Sequence, residues 1–98
     1  MGVSEYQISY DPRNILGDGF NPEEDWSSED LFQAVYVPES IIVDLGNYNG
    51  VYKILVVYEG EWDRPLAEFA DSDPIKCIDA LCAIISADTN PIQAVRGL

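Results

Sequence analysis

The sequence predicts an α+β fold: a two-layer domain whose antiparallel sheet of about four strands carries helices packed on one face, in the order β-α-β-β-β-α. Three observations lead there. Residues 5–10, EYQISY, alternate apolar and polar side chains. Residues 40–69 hold three strand-like runs separated by turns that contain glycine. Residues 73–86, DPIKCIDALCAIIS, repeat apolar side chains at three and four residues behind an Asp-Pro start.

Each element follows from its residues. In the first strand Tyr6, Ile8 and Tyr10 share one face, and Asp11-Pro12 ends it. Residues 11–21, DPRNILGDGFN, are rich in turn formers and predict an ordered loop, pinned by Ile15, Leu16 and Phe20. Asn21-Pro22 and Ser27-Ser28 are both helix-start signals, with acids in the turn that the helix dipole favours. With Leu31, Phe32 and Val35 as an apolar stripe, they predict a helix at about 28–36 and a short turn at 22–26, closed by Pro38. Ser40–Leu45 predicts a strand, residues 46–50 a five-residue connection, and Val51–Tyr58 a central strand, since Ile54–Val57 is apolar on both faces. Trp62–Phe69 predicts a third meander strand, at an edge or bulged because of Pro65. The helix from Pro74 should lie across the sheet, and Asn90-Pro91 should open a last short turn.

The chain has 98 residues, 47% of them hydrophobic and eleven aromatic, enough for one core and a single domain spanning 1–98. Cys77 and Cys82 lie five residues apart on the expected helix, about 140° around its axis. They cannot pair there and should be reduced core residues, as in a cytosolic protein. Residues 1–10 lack the basic start and apolar run of a leader, and no apolar run is long enough to span a membrane. The expected setting is the cytoplasm of a bacterial cell, with a phage gene as one source.

Eighteen acids face five bases, giving −13 at pH 7 and a pI near 4.1. That charge repels DNA, RNA and anionic membranes and attracts basic surfaces. It is also uneven. Residues 21–45 carry seven acids and no base, so over half the net charge lies in about a quarter of the chain. Solubility alone does not require such clustering.

Catalytic chemistry finds little footing. There is no histidine, no GxSxG, no phosphate-binding loop and no GxGxxG. Carboxylate pairs carry no signal when eighteen acids are present. No calcium loop fits: counted from Asp18 the third position is Phe20, and counted from Asn21 the sixth is Trp26. The chain is therefore expected to be non-enzymatic, with no catalytic residue, no cofactor and no metal.

Binding fits better. Glu23, Glu24, Asp25, Glu29 and Asp30 surround Trp26, a composition in which a ring anchors and charges steer a basic partner. Trp26 as an ordinary core residue is the competing expectation. Glu59, Glu61 and Asp63 around Trp62 repeat the composition, and Tyr48 is a further exposed-aromatic candidate. Carboxylates spaced a few ångströms apart can imitate the phosphates of a nucleic acid. In size, charge and lack of catalytic motif, and in these alone, the chain is similar to anti-CRISPR proteins and to immunity proteins that block nuclease toxins. The expectation is an inhibitor, monomeric or weakly dimeric, that binds a basic nucleic-acid-handling enzyme or toxin and neither nucleic acid nor membrane directly. The alternative is a structural or accessory subunit whose acidity serves only solubility.

Overall fold

The structure, a computed structural model, describes residues 5–98. The sequence-based expectation that residues 1–10 contain no leader lies in part outside them. Five strands form one antiparallel sheet in sequence order: β1 (Tyr6–Tyr10), β2 (Phe32–Tyr36), β3 (Ile41–Tyr48), β4 (Val51–Tyr58) and β5 (Ala67–Asp71). Three helices accompany it: α1 (Ile15–Asp18), α2 (Pro74–Ser86) and α3 (Pro91–Arg96). The α+β class is as expected. The sheet has five strands rather than about four, and the order is β-α-β-β-β-β-α-α.

The extra strand replaces the helix expected at 28–36. Phe32, Ala34 and Tyr36 alternate with half-buried Gln33 and Val35, so the segment has a strand's period as well as a helix's stripe. Tertiary pairing decides between them. As a strand, β2 fills the slot between β1 and β3, with Ala34 opposite both Ile8 and Val43. The serines that looked like a helix start fold local turns instead. Ser27 donates its amide and hydroxyl to Asp25 Oδ1, and Ser28 Oγ accepts the Asp30 amide.

β4 has the expected bounds, and β3 runs on to Tyr48, past the expected end at Leu45, because the connection between them is shorter. Only Asn49 and Gly50 lie outside the strands, with φ of 57° and 89°. Positive φ at both positions matches the right-handed twist of a two-residue hairpin, and Asn-Gly is the pair that adopts it most readily. β5 begins at Ala67, later than expected. Residues 59–66 connect it to β4, with the Leu66 amide bonded to the Val56 carbonyl.

Residues paired across an antiparallel ladder share a face. On one face Phe32, Ala34 and Tyr36 adjoin Leu45, Val43 and Ile41, and then Ile54 and Val56. α2 covers this face with Cys77, Ile78, Ala80, Leu81, Ile84 and Ile85. Asp73 caps α2 by accepting the Ile75 amide, and Asn90 caps α3 through Gln93 N. α1 and its loop close one end of the core with buried Ile15 and half-buried Leu16 and Phe20. Neither cysteine is in a disulfide. Burial pushes the Cys77 thiol up to about 11, so it is a core residue and not a thiolate. No helix among the described residues is long and apolar enough to cross a membrane.

Among the described residues, the opposite face carries no helix of the core cluster. Across it run Val35, Ile42 and Val57 in one row, and Gln33, Asp44, Leu55 and Glu68 in the next. β1 contributes to this face through a bulge. Ile8 pairs with Ala34, but Tyr10 pairs with Gln33, leaving Ser9 as the extra residue. The bulge turns Tyr10 away from the side Tyr6 occupies, contrary to simple alternation.

Candidate functional site

Eight of the nine residues expected to meet a partner are exposed: Glu23, Glu24, Asp25, Glu29, Asp30, Glu59, Glu61 and Asp63. The ninth, Trp26, is a correction. Its indole is 7% exposed and stacks on Phe20 with ring centroids 5.2 Å apart. Its Nε1–H donates to the Asn21 carbonyl at 2.6 Å. A ring whose polar atom is satisfied internally anchors the loop to its own core. Trp62 is the exposed tryptophan, at 43%.

The acidic loop is pinned at several points. Asn21 Oδ1 accepts the Glu23 amide, and Arg13 Nε donates to the Asp25 carbonyl at 2.9 Å. Asn47 donates its side-chain amide to the Trp26 carbonyl and its main-chain amide to that of Ser28. Residues 28–31 then run beside β3 as an irregular extension of β2, with Leu31 N bonded to Leu45 O. Gly46 makes that approach possible, since a Cβ there would overlap the Glu29 carbonyl oxygen.

The loop has no base in its own sequence, but one reaches it in space. Arg13 lies 5.9 Å from the Trp26 ring centroid. The Asp25 carboxyl is held below its usual range, first by the Ser27 hydroxyl, next by the Ser27 amide and then by Arg13. Asp25 therefore enters any interaction already partly satisfied, whereas the Glu23 carboxylate accepts no hydrogen bond among the described residues.

The two acidic clusters lie at opposite ends of the sheet. Ser28 and Glu29 meet Asn47 and Gly46, near the Asn49-Gly50 hairpin. Glu59 leaves β4 at the other end, where its amide bonds to the Ser40 carbonyl. Lys53, paired with Gly46, and Tyr58, paired with Ile41, mark the two ends. Five residues of strand separate them, about 17 Å. The 59–63 group is thus a second patch and not an extension of the first.

One carboxylate escaped the sequence-based list. Asp44, in β3, is 5% exposed and faces the helix-free side of the sheet. Gln33 Nε2 donates to its Oδ2 at 3.2 Å. Burial pushes the Asp44 carboxyl up to about 6; the Gln33 bond opposes this, and the charge of Asp30 adds to it. Tyr48, half-buried on the same face, is pushed up by burial and by Asp44, Asp30 and Glu29. These groups therefore form one neighbourhood. A cavity of about 380 Å³ opens there, lined by Ser9, Tyr10, Asp30, Phe32, Gln33 and Asp44. The clue in the sequence was an aspartate interrupting the apolar run IIVDL inside a central strand.

Among the described residues no group of three or more His, Cys, Asp or Glu side chains could hold a metal ion. No family model, curated protein or solved structure matches the chain.

Proposed function

We propose that the protein is a small, non-catalytic inhibitor that binds a basic, nucleic-acid-handling protein through the carboxylates of the 23–30 loop, in the manner of a nucleic-acid mimic. The supporting observation is that all five carboxylates of the loop are exposed while its backbone is pinned to β3 and to Arg13. Charges held in place by a fixed backbone need little ordering on binding, and so steer a complementary surface efficiently. Anti-CRISPR and nuclease-immunity action are both instances of this chemistry. The test is capture from a bacterial lysate at about 50 mM and about 500 mM salt, a range over which phosphate-like contacts weaken strongly. The wild type should retain basic nucleic-acid enzymes only at low salt, and a charge-matched unrelated protein should not retain them. Replacing Glu23, Glu24, Asp25, Glu29 and Asp30 with Lys should abolish capture without unfolding. Capture that ignores both the substitutions and salt would refute the proposal.

A second reading, an accessory subunit of a larger complex, rests on edge strand β1, where Ile8 and Tyr10 are 42% and 44% exposed. An edge strand of this kind can pair with another chain. That assembly would be nearly independent of salt, and gel filtration at both salt concentrations separates the two.

A further inference from the structure

The helix-free face holds a feature that a displayed acidic loop does not need. Asp44 is almost wholly buried in the sheet, yet the one side-chain hydrogen bond it makes among the described residues engages Oδ2. Oδ1 accepts nothing there, and the side chain lines a cavity that opens beside Asp30. A carboxylate has room for about four hydrogen bonds, and a buried one is normally paired. No lysine or arginine is among the groups that act on Asp44. Lys53, on the same face, instead sets its Nζ 5.9 Å from the Tyr48 ring centroid. The walls suit a flat cation: Tyr10 supplies an aromatic ring, Gln33 fixes one carboxylate oxygen, and Asp30 adds a second negative charge at the rim.

We propose that this cavity is a specificity pocket that takes one arginine side chain of the basic partner, with Asp44 as its buried counter-ion. The inference rests on the reading of the acidic loop as the partner surface and adds a defined subsite to it. Guanidinium is planar, carries five donors, and is less strongly hydrated than ammonium, so it enters a half-dry site at lower cost. It can meet Asp44 Oδ1 and Asp30 together while lying against Tyr10. The loop would then provide long-range attraction and the pocket a single directional contact. A nucleic-acid mimic with such a pocket would prefer partners presenting an accessible arginine over those presenting lysines.

The test uses the intact protein and N-acetyl-arginine amide as probe, followed by NMR at pH 7. The neutral citrulline analogue and N-acetyl-lysine amide serve as controls. The arginine probe should shift the Gln33 side-chain amide and the Tyr10 ring saturably, and lower the Asp44 carboxyl pKa measured by its Cγ resonance. Citrulline should do neither, and lysine should bind at least threefold more weakly. Asp44→Asn, which keeps the Gln33 bond, should weaken the arginine probe at least tenfold. Shifts spread over Glu23, Glu24 and Asp25 with none at Gln33, or equal binding by Asp44→Asn, would overturn the pocket. Salt-dependent lysate capture lost in the loop Lys variant but unchanged by Asp44→Asn would leave the loop reading standing and the pocket refuted. Capture insensitive to the loop substitutions would refute the loop reading itself.

Discussion

Asp44 shows how one side chain links stability to a candidate site. Its folded pKa lies near 6, against 3.8 for an ordinary aspartate. Between those values the folded chain binds more protons than the unfolded one, so this group makes stability fall as pH rises. The penalty is absent below about pH 4 and complete above about pH 6, at about 3 kcal/mol. Asp44→Asn should therefore stabilise the protein at pH 7 by up to that amount and change little at pH 4. Paired urea unfolding curves at the two pH values check this, and an equal effect at both would show that Asp44 is not desolvated. The tryptophans make a second comparison. Trp26→Ala should destabilise by about 3–5 kcal/mol, as expected for a buried ring. Trp62→Ala should change stability by less than about 1 kcal/mol. Denaturant midpoints measure both, and fluorescence emission of each single-Trp variant should be blue-shifted when Trp26 is the ring that remains.

At the scale of elements, the 28–36 segment is the instructive one. Its helix-start signals are real as local chemistry, but Asp25, Ser27 and Ser28 spend them on turns. Period alone could not choose between strand and helix in FQAVY, because five residues satisfy both patterns. The open slot between β1 and β3 chose. Gly46 is the point where this segment meets β3, so Gly46→Ala must push the Glu29 carbonyl away. It should destabilise by about 1–3 kcal/mol, the usual range for overpacking. If the loop is displaced, the variant should also lose hydrogen-exchange protection at the Asn47 and Leu31 amides, which bond to Ser28 and across to Leu45. Normal protection at both would show that the loop does not depend on that approach. α2, by contrast, was legible from its residues. Asp73-Pro74 and the Ile-Leu-Ile spacing gave its start and buried face, and a cap of this kind is worth about 1 kcal/mol.

For the whole molecule the dominant quantity is the charge of −13. Self-repulsion at this level opposes folding and is screened by salt. Thermal stability should therefore rise between about 20 mM and about 300 mM sodium chloride, where the screening length shortens below about 10 Å. Reversing the five loop carboxylates to Lys adds ten charges and brings the net to −3. That variant should show a much smaller salt dependence by differential scanning calorimetry. An unchanged slope would mean that the loop is not where repulsion concentrates. The same scale separates the two acidic patches, which repeat one composition around Trp26 and Trp62. The sheet holds them apart by about the length of five strand residues.

By itself the sequence determined the α+β class, the capped helix α2, strand β4 and most of β3, and the exposure of the eight acidic candidates. These follow from charge, period and caps, which act over a few residues and need no partner. Tertiary structure decided what depends on residues far apart in the chain. It made 32–36 a strand, turned Tyr10 across the sheet at the Ser9 bulge, and brought Arg13 to the loop from upstream. It also buried Trp26 and left Asp44 lining a cavity that has no lysine or arginine among its described lining residues. Each outcome rests on which surface meets which, and a buried carboxylate or a buried indole is defined only by the neighbours that exclude water from it.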